Sequence, residues 1–102
     1  RSLIMHFVVF ATDKPGMEEV RAAVRPSHRQ YLRQHDHPVT VVLGGPTFDK
    51  GGVHMNGTML VIEADTLQQV QEYVAADPYC HAGLFESLEV RPWHWGLGKP
   101  EE

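Results

Sequence analysis

The chain has 102 residues, 42% of them apolar and 22% charged, with a formal net charge of −4. That length allows one domain, residues 1–102, around one core, and the composition is that of an ordinary globular protein. The acidic balance argues against a nucleic-acid surface or an anionic membrane as a partner.

Leu3–Ala11 is apolar apart from His6. It is too short to span a bilayer and lacks the basic region and cleavage site of a signal peptide. Met5 offers one natural start, which would make Arg1–Ile4 an upstream remnant; the sequence leaves both options open. Residues 1–4 and 97–102 are expected to be loose. Met5–Thr12 is rich in Phe and Val and ends at the turn Asp-Lys-Pro-Gly, which predicts a first strand. Met17–His35 predicts a helix with a fault at Pro26, which has no N–H to give Ala22. The helix either kinks there or ends at Arg25 and restarts with Pro26 in its first turn.

Along that helix Val20, Val24, His28, Tyr31, Leu32 and His35 fall on one face. Arg21, Arg29, Gln30, Arg33 and Gln34 are assigned to solvent. His28 therefore faces a core or a cleft. It needs a partner there, because an unpaired buried polar group costs roughly 1–3 kcal/mol.

His35-Asp-His-Pro38 ends the helix, and Val39–Gly45 predicts a second strand. Pro46–Asn56 reads as a loop turning at Asp49–Gly52, and Gly57–Ala64 as a third strand. Thr66 with Gln69 forms a capping box for a second helix, whose inner face carries Leu67, Val70, Val74 and Asp77. Asp77-Pro78 stops that helix, and Pro78–Ala82 allows one more turn. Phe85–Trp93 predicts a fourth strand, continued past Pro92 by Trp93-His-Trp95.

The order β-α-β-β-α-β is that of an α+β, ferredoxin-like sandwich. Two helices cover only one face of four strands. Yet the third strand is apolar on both faces, at Met59, Leu60, Val61 and Ile62. An open apolar face of that size implies an interface, most simply with an identical sheet in a homodimer.

Six motifs in order carry a family resemblance. The first three are Arg25-Pro-x-His28-x-x-Tyr31-Leu32, Gly44-Gly45-Pro46 and Gly57-x-x-Leu60-x-Ile62-x-Ala64. Then come Ala76-Asp77-Pro78-Tyr79, Ala82-Gly83-Leu84-Phe85 and Val90-Arg91-Pro92-Trp93. From Met5 to Trp95 the chain resembles the YCII-like (YciI-type) proteins of the dimeric α/β-barrel superfamily. The resemblance implies a ferredoxin-like protomer that dimerises sheet to sheet. It also implies an active site built on a His and an Asp, matched here by His28 and Asp77. A dehydrochlorinase of chlorinated-aromatic breakdown is the best-defined precedent, and related barrels include muconolactone isomerases. The resemblance implies a fold more sharply than a reaction.

Each candidate has a structural rival. His28 can be a core histidine bonded to a backbone carbonyl. Asp77 can simply cap Pro78–Ala82, although a carboxylate closing the second helix gains from a cationic or hydrogen-bonding partner. Gly44-Gly45-Pro46 reads first as a structural turn ending the second strand, and also as backbone that lets a ligand come close. The loop after it is not a phosphate loop, and Phe48 would allow it to act as a lid. His35 and His37 share a face only in extended chain. A metal would need His54 or His81 as well, so a solvated helix end is preferred and no metal is expected. Cys80, the single cysteine, has no evident activating base. It leaves no internal disulfide and fits a reducing, cytoplasmic setting. Arg25, Tyr31, Gly45, Pro46, Tyr79 and Trp93 are the candidate substrate-binding residues, with Tyr31 as a pocket hydroxyl. Trp93 is divided between an aromatic cleft and the dimer interface.

Two functions remain in play. In the first the protein is a cofactor-independent enzyme, an isomerase or lyase acting on a small cyclic or aromatic-derived substrate. His28 would move a proton, for which an imidazole with an ordinary pKa of about 6.5 is suited, and Asp77 would hold the ring. In the second it is a dimeric small-molecule-binding or accessory module without turnover, the His–Asp pair serving as a polar anchor.

Overall fold

A computed structural model describes residues 5–100. The expected loose termini therefore lie partly outside the described residues, at 1–4 and 101–102; residues 97–100 carry no helix or strand. Seven elements follow one another: β1 (Met5–Asp13), α1 (Glu18–Leu32), β2 (Thr40–Phe48), β3 (Met55–Ala64), α2 (Leu67–Ala75), α3 (Pro78–His81) and β4 (Phe85–Trp93). The strands form one antiparallel sheet in the order β2-β3-β1-β4. The two most apolar strands, β1 and β3, take the centre, and the strands carrying Pro46 and Pro92 take the edges. A proline at an edge leaves no ladder donor missing inside the sheet.

Register separates the two faces. Val9 lies opposite Leu60 and Val90, and Phe7 opposite Ile62. Phe7, Val9, Leu60 and Ile62 join Val70, Tyr73 and Val74 of α2 in the buried core. One residue along, Phe10 lies opposite Met59 and Glu89, and Val8 opposite Val61 and Arg91. These point to the face without helices, because successive side chains of a strand alternate.

Three local expectations are corrected. Gly44-Gly45-Pro46 is not the turn that ends β2; it lies within the strand, opposite Leu60, Met59 and Thr58. The turn expected at Asp49–Gly52 does form: the Asp49 N–H donates to the His54 carbonyl at 2.9 Å and the Asp49 carbonyl accepts from Gly52 at 2.9 Å. Helix α1 ends at Leu32, short of the expected His35, and of the two alternatives at Pro26 it excludes the restart, since the helix continues through that residue. Ala22 and Pro26 are both exposed, so water can take the carbonyl that Pro26 cannot serve. The last strand stops at Trp93, short of Trp95. The capping box forms as its spacing requires. Thr66 Oγ1 accepts from Gln69 N–H at 3.2 Å, and Gln69 Oε1 accepts from Thr66 N–H at 3.3 Å.

One glycine is fixed by close approach between strands. A Cβ at Gly57 would press on the Ala11 carbonyl oxygen and sit 2.6 Å from Thr47 Oγ1. Gly57→Ala is therefore expected to cost about 1–3 kcal/mol, as overpacking does. Urea unfolding measures it; a loss below about 0.5 kcal/mol would show that the strands part freely there.

Candidate active site

Helix α1 and the start of α3 bring the principal groups together. Asp77 ends the α2 segment in extended backbone and caps α3, its Oδ1 accepting the Tyr79 N–H at 2.8 Å. The same carboxylate meets His28, with Nδ1 at 2.9 Å from Oδ1 and 2.8 Å from Oδ2. Capping and pairing are thus performed at once. Asp77 and His28 are 3% and 6% exposed. A buried carboxylate facing Nδ1 selects the tautomer that carries its proton there. The other nitrogen, Nε2, makes no hydrogen bond to a described residue. It is not sealed either, since no buried side-chain nitrogen or oxygen among the described residues lacks a partner. His28 lines a cleft between α1 and β2.

That cleft has a volume of about 70 Å³. Gly44, Gly45 and Pro46 of β2 form one wall, and Arg25, His28 and Tyr79 face it. Gly44 packs tightly on the core behind that wall, where a Cβ would lie 2.5 Å from Leu60 Cδ2. Tyr79 is fully buried and stacks on His28, with ring centres 3.9 Å apart and planes inclined by 17°. Burial pushes the Tyr79 phenol up, against the opposing pull of Arg21 and Arg25, so it stays protonated at neutral pH.

Arg21 is the main residue missed by sequence reasoning. Assigned to solvent, it is 4% exposed. Its guanidinium grips Asp13 in a two-pronged contact, Nε to Oδ2 at 2.6 Å and Nη2 to Oδ1 at 3.0 Å. Nη2 also donates to Thr58 Oγ1 at 2.8 Å, and the group lies 4.7 Å from the centre of the Tyr79 ring. A signal existed: Arg21 precedes His28 by two helical turns, on the same face. Its charge argued for solvent, and nothing in sequence marked Asp13 as the carboxylate that would neutralise it.

Two candidates do not reach the cleft. The Tyr31 hydroxyl donates to the Tyr73 carbonyl at 2.7 Å, its ring stacking on Tyr73 at 4.7 Å, so it is not a pocket hydroxyl beside His28. Trp93 lies on the helix-free face, against His6 and Trp95. His37 Nε2 donates to Gln34 Oε1 at 3.1 Å. Among the described residues no three His, Cys, Asp or Glu side chains converge as metal ligands. Burial and the Asp77 carboxylate raise the Cys80 thiol above its ordinary value, which disfavours a thiolate nucleophile. A larger recess of about 410 Å³ borders the Asp49 turn. It includes Asp13, Glu18, Asp49 and Glu86 but neither member of the His–Asp pair.

The tyrosine stack carries a pH prediction. Burial first, and Asp77 second, push the Tyr31 hydroxyl up to about 12, and Tyr73 rises for the same reasons with Tyr31 added. An unfolded tyrosine titrates near 10. The folded state therefore holds these protons more tightly. Their contribution is whole below about pH 10 and is lost as pH rises towards about 12. Thermal melts should decline over that window, and less so in Tyr31→Phe. An unchanged alkaline decline in that variant would count against the assignment.

A single antiparallel sheet in the order β2-β3-β1-β4, helices on one face and a His–Asp pair at their junction define a ferredoxin-like α+β protein. The chain belongs to the YCII-related domain family, whose profile matches residues 5–94. It is 31% identical over 94 residues to Protein YciI of Escherichia coli, covering 87% of this chain and 96% of that one. Among solved structures it resembles 5-chloro-2-hydroxyhydroquinone dehydrochlorinase (TftG) from Burkholderia phenoliruptrix, in complex with 2,5-dihydroxybenzoquinone. The two are 32% identical with a TM-score of 0.78, over 88% of this chain and 94% of that one. Protein SO0527 from Shewanella oneidensis shares the fold alone, at 18% identity, a TM-score of 0.53 and 92% of each chain.

Proposed function

We propose that the protein is a cofactor-independent acid–base enzyme, an isomerase or lyase of small cyclic or aromatic-derived compounds. One observation carries the reading: both Asp77 oxygens hold Nδ1 of His28, a residue that lines the cleft. An imidazole fixed in this way is a base with a defined direction of attack. Nε2 takes a proton from the substrate. In an elimination the released electron pair forms a new π bond and expels chloride, leaving an imidazolium beside Asp77. The imidazolium then returns its proton to water. In an isomerisation the imidazolium, whose N–H exchanges with solvent, gives a proton to a different atom of the same substrate. Asp77 stays ionised and stabilises the cation, as a carboxylate does beside a catalytic histidine. The likeness to TftG supports the elimination branch.

The test is turnover by the wild-type protein. Chloride release from chlorinated hydroxyhydroquinones reports elimination, and solvent deuterium entering cyclic enones reports isomerisation. The narrowness of the cleft favours a second reading, a binding module without turnover. Tight binding with neither product nor exchange would decide for it.

We also propose that the protein is a homodimer through its helix-free sheet face. Phe10, Leu43 and Trp93 are 49%, 41% and 38% exposed there. Burying apolar area yields about 25 cal/mol per Å², offset in part by association entropy. Sedimentation at micromolar concentration is expected to give a dimer, and Phe10→Asp a monomer. A monomeric wild-type protein would refute it.

A further inference from the structure

The charge around His28 is one-sided. Four of the nine Lys and Arg residues of an otherwise acidic chain line this cleft: Arg21, Arg25, Arg29 and Arg33. No carboxylate lines it among the described residues. Arg21 is neutralised by Asp13, and Arg33 donates to the Arg29 carbonyl at 3.0 Å. The guanidiniums of Arg25 and Arg29 have no hydrogen-bond partner among the described residues. Their neighbours three and four places away on the helix are Arg21, Ala22, His28, Pro26, Leu32, Arg33 and each other. Helices commonly place acids at such positions, because like charges there destabilise the helix by a few tenths of a kcal/mol per pair. α1 keeps that repulsion and turns it towards the cleft.

The space fits the same conclusion. A second recess of about 270 Å³ adjoins the cleft and shares Arg21 and Arg25 with it. Ala22, Val53 and Met55 give it an apolar lining, and Glu18 and His54 complete it, so the unopposed positive charge lies on the side of the cleft, which Arg25 and Arg29 line. A ligand that occupied both spaces would lie against Arg25, which lines each of them.

We propose that the site selects small organic anions, with Arg25 and Arg29 as the residues that bind the negative group. A carboxylate or an ionised enol or phenol conjugated to the reacting carbon has the chemistry required. Guanidinium hydrogen bonds to an anionic oxygen are charge-assisted and bidentate, which fixes the ring against His28 as well as holding it. The inference rests on the cleft being the substrate site, but its test does not depend on turnover.

Three six-membered-ring probes differ in charge at neutral pH: hydroquinone is neutral, benzoate carries one negative charge and 2,5-dihydroxybenzoquinone two. Calorimetric titration should show affinity rising along the series, by about tenfold from first to last, as one charge-assisted contact yields. Added salt should compress the series. The double variant R25Q/R29Q should flatten it while melting like the wild type, since Gln is nearly as good a helix former as Arg. A flat series, failure of all three probes to bind, or a gradient that survives in the double variant would overturn the proposal. Failure of the acid–base reading looks different: the gradient and its arginine dependence persist, yet no substrate is turned over.

Discussion

His28→Gln is expected to lower kcat/KM by about 10²–10⁴-fold, the range for loss of a general acid–base group, with little change in melting temperature. Glutamine is chosen because its amide can still donate to Asp77, so the buried carboxylate is not orphaned; alanine would mix a folding defect into the result. The companion variant is Asp77→Asn. Asparagine caps a helix as well as aspartate does, so α3 keeps its start. Opposite Nδ1, however, the asparagine amide presents a donor. His28 then places its proton on Nε2 and has no lone pair for the substrate. A wrong tautomer of this kind costs about 10⁴-fold where it has been isolated. Stopped assays on both variants, with melts alongside, separate the roles. Full activity in Asp77→Asn would leave Asp77 as a cap and nothing more.

Arg21→Met is expected to cost about 3–5 kcal/mol of folding stability, a large part of what a small domain has. The Asp13 and Arg21 side chains are only 9% and 5% exposed, and the substitution strands the carboxylate. It also removes a donor from Thr58 and the cation over Tyr79. Removing both charges in R21M/D13N should recover a good part of the loss, because the penalty is that of an unpaired buried charge rather than of a missing attraction. Urea unfolding of the two single variants and the double gives the coupling. A loss under 1 kcal/mol in Arg21→Met would make the pair equivalent to a surface ion pair. The tie bears on the site as well. Arg21 touches Tyr79, and Tyr79 stacks on His28, so the pair that fixes α1 to the end of β1 also fixes the imidazole.

Much of the fold was legible because it rests on short-range rules. Apolar runs placed β1 and β3, alternation placed β4, and a Thr-x-x-Gln box placed the start of α2. Asp-Pro placed the start of α3. The errors have equally local causes. Glycine and proline in Gly44-Gly45-Pro46 signal a turn in most settings, but an edge strand tolerates both, and only the pairing with β3 makes the segment a strand. At Pro26 the sequence left a kink and a restart both open, and the continuous helix, pinned on both sides by Arg21 and His28, excludes the restart.

Sequence alone determined which residues have the chemistry: a histidine on an inward helical face and an Asp-Pro cap. It also determined that one sheet face would be left apolar and uncovered. Tertiary structure decided the partnerships. It joined His28 to Asp77 across 49 positions, buried Arg21 against Asp13, and turned Tyr31 and Trp93 away from the cleft. Periodicity reports the direction a side chain faces relative to its own element. Which group it meets depends on how separate elements dock, and that is fixed by the packing of the whole core, where a buried charge is stable only if a distant residue arrives to neutralise it.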